Sequence, residues 1–117
     1  MKKGSIGESI AADYLESQGY KILEKNFRCR TSEIDLIAAK DITLSIIEVK
    51  HWTAIPLSEL EYSINKAKKQ RIYAGTAVFL AENPEYSEYF ISFDVIFIDN
   101  KNEINHIRNA FLGPEAV

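Results

Sequence analysis

The chain has 117 residues, 46% of them hydrophobic and 26% charged, a composition that predicts a single globular domain over residues 1–117 with a modest core. Its formal net charge of −3 argues against a protein that coats nucleic acid through global positive charge, although it does not exclude local basic patches. No run is apolar enough for a signal peptide or a membrane span, and the single cysteine, Cys29, cannot form an internal disulfide, so we expect a cytoplasmic protein without membrane contact.

The first predicted element is a helix over residues 5–17, which Gly19 ends. Helical spacing predicts an inward face that contains Glu8, Ala11, Ala12 and Leu15. The two alanines would let the helix approach a sheet closely, so Glu8 would point inward and could be a third acidic group of a site. The alternative is a first-turn glutamate stabilised by the helix dipole.

A strand is predicted next, over residues 20–28, and the first of two basic clusters lies on it and just after it. This cluster contains Lys21, Lys25, Arg28 and Arg30, and the second, further along the chain, contains Lys66, Lys68, Lys69 and Arg71. Either cluster could track the phosphates of a nucleic acid. The alternative for both is a solvated face of a strand or helix, which is the commoner role of such runs.

Two apolar strands then form a predicted hairpin. If its turn has two central residues, Asp41 and Ile42, the pairing register follows from the turn. Asp35 then lies directly across from Glu48, and Lys50 shares the face of Glu48 because side chains alternate along a strand. A shift by one residue would put the carboxylates on opposite faces, and neither turn residue is the glycine that such turns favour.

Carboxylates on apolar strands need a partner, because an unpaired buried charge costs free energy. Asp35 and Glu48 could bind a divalent cation, pair with Lys50, or reach solvent at a strand end. An isolated Glu-x-Lys triplet is expected by chance at this composition, so its position at the end of an apolar strand gives it weight. A metal-bound acid pair beside a lysine can cut phosphodiesters, and a plain ion pair is the alternative.

The longest predicted helix covers residues 57–80, with Gly75 as a weak point. Its predicted inward stripe is Leu60, Ile64, Ala67, Gln70, Ala74 and Ala77. On that face, Gln70 could hydrogen-bond a metal-bound water or a substrate phosphate, and the alternative is a buried amide bonded to the backbone.

Two further strands, over residues 90–98 and 103–109, complete the chain and are joined by a turn. In the first of them, alternation puts Phe93, Val95 and Phe97 on one face and Asp94, with Ile96 and Ile98, on the other. Asp94 is then an inward acid, for which pairing with a basic residue is a structural explanation. The predicted order is α-β-β-β-α-β-β.

Several motifs accompany this order and cover nearly the whole chain: Gly7-Glu8, Gly19-Tyr20, Glu33-Ile34-Asp35-Leu36-Ile37-Ala38, Ile47-Glu48-Val49-Lys50, Lys69-Gln70, Phe93-Asp94-Val95 and His106-Ile107. They resemble the YraN-like family of small bacterial proteins predicted to be nucleases, within the restriction-endonuclease-like PD-(D/E)xK superfamily. The chain is also similar to archaeal Holliday junction resolvases, whose first-helix glutamate corresponds in place to Glu8. It departs from the YraN-like pattern at Ser32, His51 and Ser92.

The resemblance implies the α/β restriction-endonuclease-like fold, a mixed central sheet flanked by helices, and a metal-dependent endonuclease that acts on DNA rather than RNA, with branched or flapped DNA favoured. It implies Mg²⁺ or Mn²⁺ held by Asp35, Glu48, the Val49 carbonyl and Glu8. Lys50 would orient or help deprotonate the attacking water, Gln70 would be a positioning residue, and a homodimer is compatible with the pattern.

Two other functions stay open. A non-catalytic nucleic-acid-binding module, or a scaffold in a DNA-processing complex, could keep the acids as structural ion pairs, although closely set carboxylates without a metal repel phosphates. A protein-interaction domain with no nucleic-acid role predicts that neither Mg²⁺ nor DNA changes the stability of the protein.

Overall fold

The computed structural model of the chain describes residues 3–30, 32–51 and 64–114. The elements, in chain order, are α1 (Lys3–Ser17), β1 (Lys21–Cys29), β2 (Ser32–Lys40), β3 (Thr43–His51), α2 (Lys66–Glu82), a short 3-10 helix (Pro84–Tyr86), β4 (Phe90–Ile98) and β5 (Ile104–Phe111). The predicted order of helices and strands is confirmed. No helix among these residues is long and apolar enough to cross a membrane.

The five strands form one mixed sheet, in the order β1-β2-β3-β4-β5. β3 and β4 are parallel, with α2 between them in the sequence, and the other described neighbours pair antiparallel. α1 packs on one face of the sheet and α2 on the other, so that each face has its own apolar core. The predicted α/β architecture, a mixed sheet flanked by helices, is confirmed.

The turn after α1 explains why this helix ends where the sequence predicts. Gly19 has a φ of 91°, a left-handed conformation that favours glycine. Its N–H donates to the carbonyl of Glu16, and the N–H of Tyr20 donates to the carbonyl of Leu15. These two bonds satisfy carbonyl groups at the end of the helix and bring Tyr20 into the core beneath α1.

The hairpin of β2 and β3 has the predicted register. Lys40 pairs with Thr43 around a two-residue turn. Asp41, within that turn, has a φ of 53°, which Asp tolerates better than most residues, so the turn closes without glycine. The pairing then continues along both strands, and Asp35 and Glu48 follow directly after its last pair.

The predicted start of α2 is wrong. The helix begins at Lys66 and not at residue 57, because Asn65 has an extended backbone and its side-chain oxygen accepts a hydrogen bond from the N–H of Lys68 at 2.8 Å. Such a contact is an N-terminal cap. Residues 57–63 lie outside the described part of the chain.

The predicted inward stripe of α2 is also wrong. The buried residues of this helix are Ile72, Gly75, Thr76 and Phe79, and the exposed ones include Ala67, Gln70, Ala74 and Ala77. Large aliphatic and aromatic side chains decide which face packs on the sheet, since alanine and glutamine have little apolar area to bury. Ile64, also in the predicted stripe, is buried ahead of the helix.

Gly75 is a close-packing position and not the predicted weak point. A Cβ atom at this residue would lie 2.7 Å from Ser32 Oγ and 3.1 Å from Ile34 Cδ1. The Ser32 hydroxyl donates to the carbonyl of Arg71 at 2.6 Å. The missing side chain therefore lets α2 and β2 come into direct contact.

We expect Gly75→Ala to lower the free energy of unfolding by about 1 kcal/mol, because overpacking outweighs the gain in helix propensity. Urea unfolding measures this change. In a Ser32→Ala background the nearest obstructing atom is gone, so the same substitution should cost less there. An equal cost in both backgrounds would contradict the close contact as its cause.

Candidate functional site

Asp35 is the centre of an acidic cluster where β2 begins beside the end of β3. Its Oδ2 accepts a hydrogen bond from the N–H of Val49 at 2.8 Å. Glu48 and Glu8 are both close enough to Asp35 that, after burial, its charge is the largest contribution raising the pKa of each. The structure thus brings together the three carboxylates, and at Val49 the observed contact is made by the N–H and not by the carbonyl that was predicted as a metal ligand.

Glu48 is a buried carboxylate, only 3% exposed. Burial, and then the charge of Asp35, raises its pKa from 4.5 to about 7. Lys68 on α2 opposes this shift, since its Nζ lies 3.1 Å from Glu48 Oε2. The other oxygen, Oε1, has no hydrogen-bond partner among the residues that the structure describes. Such a group is suited to bind a cation or to hold a proton at neutral pH.

The raised pKa of Glu48 predicts how stability changes with pH. The carboxyl group titrates near 4.5 when unfolded and near 7 when folded, so the folded protein holds the extra proton between these values. The stability that this proton contributes is fully present below pH 4.5 and is lost as pH rises through 7. The loss approaches about 3 kcal/mol.

Urea unfolding at a series of pH values, for the wild type and Glu48→Gln, measures this effect. The free energy of unfolding should fall more steeply with pH in the wild type, since glutamine does not titrate. Parallel curves for the two proteins across the neutral range would contradict the raised pKa.

Glu8 reaches the cluster from α1. It is 8% exposed, and its Oε1 has no hydrogen-bond partner in the described ranges. Burial and then Asp35 raise its pKa, while a hydrogen bond from the side chain of Asn26 lowers it. The alternative of a first-turn glutamate is wrong, because α1 begins at Lys3 and its first turn has no acidic residue.

A glycine lets α1 come close to the sheet at this point. A Cβ atom at Gly7 would overlap the imidazole of His51 at the end of β3. Without a side chain at Gly7, α1 can lie against β3 and present Glu8 to Asp35.

Lys50 is half-buried on the same side of β3 as Glu48, as predicted. Burial, and then the positive charge of Lys68, lowers its pKa from 10.5. The plain ion pair with Lys50, considered as the alternative, is not formed among the described residues, and Glu48 pairs with Lys68 instead. Lys68 was recognisable only as part of a basic cluster, because its reach to Glu48 depends on how α2 packs.

The structure does not bring Gln70 to the acidic cluster. Gln70 is exposed and lines a groove of about 1000 Å³ together with Lys66, Lys69, Tyr73 and residues 110–114. It follows Lys68 by two positions, which is about 200° around the helix. A residue on that side of α2 cannot face Glu48 while Lys68 does.

The predicted phosphate-tracking residues lie on two surfaces. On the edge strand β1 and just after it, the exposed residues are Lys21, Lys25, Arg28 and Arg30. Arg28 pairs with Glu33 at 3.5 Å in an exposed contact, which contributes little to stability. On α2, Lys66 and Arg71 are exposed, and the ammonium of Lys69 lies over the ring of Phe111, 5.4 Å from its centroid.

No three Asp, Glu, His or Cys side chains within residues 3–30, 32–51 and 64–114 are already arranged as a metal-binding group. The donor chemistry nevertheless fits Mg²⁺ or Mn²⁺, which prefer oxygen ligands. Glu8 and Glu48 each have a buried oxygen without a partner, and the Lys68 ammonium takes the place of a cation at Glu48. A metal ion would use the open Oε1 atoms, because Lys68 contacts only Oε2 of Glu48.

Asp94 is the centre of a second buried polar network and is fully buried. Its carboxylate accepts hydrogen bonds from Ser92 Oγ, from His106 Nε2 at 2.8 Å and from the N–H of Asn109 at 3.1 Å. The expected pairing of Asp94 with a basic residue is confirmed, and the partner is His106.

Comparison with known proteins gives consistent matches over most of the chain. A family model described as uncharacterised protein family UPF0102 matches residues 7–98. UPF0102 proteins from Treponema denticola, Caldicellulosiruptor bescii and Thermodesulfovibrio yellowstonii are 42%, 41% and 43% identical to this chain. Each alignment covers 92% of the chain and, in the same order, 93%, 95% and 94% of the relative. The matched region includes the whole acidic cluster.

Proposed function

The chain belongs to the uncharacterised protein family UPF0102, and from its acidic cluster we propose that it is a metal-dependent nuclease that hydrolyses phosphodiester bonds in DNA. The observation that carries the proposal is the state of Glu48. It is a buried carboxylate with one oxygen unpartnered, set beside Asp35 and facing a lysine.

A purely structural ion pair accounts poorly for this arrangement. Asp35 and Glu8 add two more carboxylates near Glu48, and their mutual repulsion raises the free energy of the folded protein. A divalent cation among them would remove that repulsion and supply partners to the unpaired oxygens of Glu8 and Glu48.

Asp35, Glu48, the Val49 carbonyl and Glu8 would hold the metal. A bound Mg²⁺ or Mn²⁺ supplies Lewis-acid stabilisation of charge on the phosphate and lowers the pKa of water. Lys50 would orient the attacking water and donate a hydrogen bond to a phosphate oxygen as negative charge develops there. Because its pKa is lowered, first by burial, Lys50 could also exchange a proton closer to neutral pH than an ordinary lysine.

The substrate class is part of the same proposal. Exposed basic residues on β1 and on the first turns of α2 flank the β2–β3 hairpin in the sequence and could contact the phosphates of a nucleic acid. Placement in the restriction-endonuclease-like superfamily, and the preference for branched or flapped DNA, rest on the sequence resemblance. An exposed edge strand could also pair two copies into a homodimer.

The test is cleavage of a labelled panel of single-stranded, duplex, flap and four-way-junction DNA, and of RNA, in Mg²⁺, Mn²⁺ or EDTA. We expect cutting of at least one DNA form that needs the metal and stops in EDTA. Binding of a substrate without cutting in either metal would instead favour the non-catalytic binding module.

A further inference from the structure

A polar cavity of about 350 Å³ lies on the face of the sheet that α1 covers, near the starts of β3 and β4. Its wall includes Tyr20, Lys40, Thr43, Ser45, Ser92 and Arg108. None of Glu8, Asp35, Glu48, Val49 and Lys50 lines it. Ser45 and Glu48 are three positions, or about 10 Å, apart along β3, and their side chains point to opposite faces of the sheet. The cavity is therefore separate from the acidic cluster.

Tyr20 positions two cations at this cavity. The Lys40 ammonium lies over its ring, 5.4 Å from the centroid, and Arg108 Nε donates to its hydroxyl at 3.3 Å. Because Arg108 uses only Nε in this contact, its other N–H groups stay available. Neither cation forms an ion pair with a described residue. Two unpaired cations held around one buried tyrosine favour an anion between them.

Two serine hydroxyls lie beside these cations. Ser45 and Ser92 are neighbours in the parallel register of β3 and β4. Ser45 is 1% exposed, and its hydroxyl has no hydrogen-bond partner among the residues that the structure describes. A buried hydroxyl without a partner is costly, and an oxygen atom of a ligand in the cavity would accept its hydrogen bond.

The nearby carboxylates do not cancel the positive charge. Asp94 lies behind Ser92, and its oxygens already accept the three hydrogen bonds of its own network. Asp41 also lines the cavity, but it is exposed to solvent in the hairpin turn, where its charge is screened. Asn109 also lines the cavity, and its Oδ1 already accepts a hydrogen bond from Ser92 Oγ at 3.1 Å.

We infer that this cavity binds a phosphate group, either as inorganic phosphate or as the terminal phosphate of a monoester. Lys40, Arg108 and the hydroxyls of Thr43 and Ser45 supply donors from several directions, which suits the oxygens of a tetrahedral anion. The volume is at the small end of ligand pockets and suits one phosphate with a small substituent. The inference does not rest on the proposed nuclease activity.

The test is an NMR titration of isotope-labelled full-length protein with inorganic phosphate and with phenyl phosphate, in EDTA and at constant ionic strength. We expect saturable shifts of the Arg108 Nε–H signal and of the Ser45 and Ser92 amides. Arg108→Gln and Lys40→Gln should each weaken binding at least about tenfold. Lys101→Gln is the matched control: this lysine is exposed in the turn between β4 and β5, and its loss changes the charge equally.

Ser45→Ala provides a test that does not alter charge, and it should also weaken binding because it removes the unpartnered hydroxyl. Shifts that do not saturate, or that are scattered over the protein, would overturn the inference. Equal loss of affinity in Lys101→Gln and Arg108→Gln would do the same. Either result would indicate general attraction between charges and not a specific site. Wild-type affinity in both single variants, Ser45→Ala and Arg108→Gln, would also overturn it.

Two oligonucleotides, with a 5′-phosphate or a 5′-hydroxyl, distinguish the source of the phosphate. Tighter binding of the phosphorylated strand, lost in Arg108→Gln, identifies the end of a nucleic acid. Equal binding of phosphate and phenyl phosphate, with no gain from the oligonucleotide, identifies a small phosphate compound. Since EDTA prevents metal-dependent cleavage, these results do not depend on the outcome of the nuclease test.

Discussion

Glu48→Gln should lower the rate of metal-dependent DNA cleavage by at least about a thousandfold. Glutamine has nearly the same shape as glutamate, so the packing of β3 against α2 is kept. It lacks the negative charge that would hold a divalent cation beside Asp35. Because glutamine does not ionise, raising the pH should not restore cleavage. The initial cleavage rate on the preferred substrate of the panel is the measurement.

Glu103→Gln is the matched control, because this glutamate is exposed in the turn between β4 and β5, away from the acidic cluster. It should cleave at the wild-type rate. Calorimetric titration with Mn²⁺ adds a readout that is independent of activity: affinity should fall in Glu48→Gln and stay unchanged in Glu103→Gln. Full cleavage by Glu48→Gln would exclude this carboxylate from the reaction.

Asp94→Ala should lower the free energy of unfolding by about 3 to 5 kcal/mol, the cost of breaking a buried charged network by removing one partner. The substitution takes the acceptor away from the His106 ring and from the Asn109 N–H, and it leaves Ser92 Oγ only its longer contact to Asn109 Oδ1 at 3.1 Å. A domain of this size has a total stability of about 5 to 15 kcal/mol, so this variant should be close to unfolding at room temperature.

Thermal and urea unfolding measure the effect, with Asp13→Ala as the control. Asp13 is exposed on α1, and its loss should change stability by less than about 0.5 kcal/mol. The free energy of unfolding of Asp94→Asn should lie between those of Asp94→Ala and Asp13→Ala, because the amide oxygen can still accept some of the hydrogen bonds. Equal stability of Asp94→Ala and Asp13→Ala would show that the network contributes nothing.

The acidic cluster could be predicted because local rules determine most of it. The length of the turn at Asp41 fixes the register, and alternation then places Glu48 and Lys50 on one face. Helical spacing from Ala11, Ala12 and Leu15 was enough to place Glu8 inward. Each of these inferences uses residues within one element or two adjacent elements.

The contributions of α2 could not be predicted in the same way. Whether Lys68 or Gln70 faces Glu48 depends on the rotation of the helix, which is set by Ile72, Phe79 and the contact at Gly75. These residues pack against strands far away in the sequence.

The cavity beside Tyr20 was missed for a related reason. Lys40 and Arg108 are remote in the chain and meet only after the sheet has formed. Serines with ordinary neighbours, such as Ser45, give no signal in a sequence that their hydroxyls will be buried without partners.

Adjacent strands in this sheet are also consecutive along the chain, so the strand pairs differ mainly in the length of the connection between their strands. The β1–β2–β3 meander and the β4–β5 hairpin each join strands through short connections, so little chain entropy is lost in pairing them. Only the β3–β4 pairing of the described sheet must close a long stretch of chain, residues 52–89. The carboxylates of Asp35 and Glu48 belong to the meander alone, whereas the cavity of Ser45 and Arg108 needs that one long closure. Loss of the β3–β4 pairing would therefore disrupt the phosphate cavity, while the β2–β3 hairpin that pairs the two acids would stay intact.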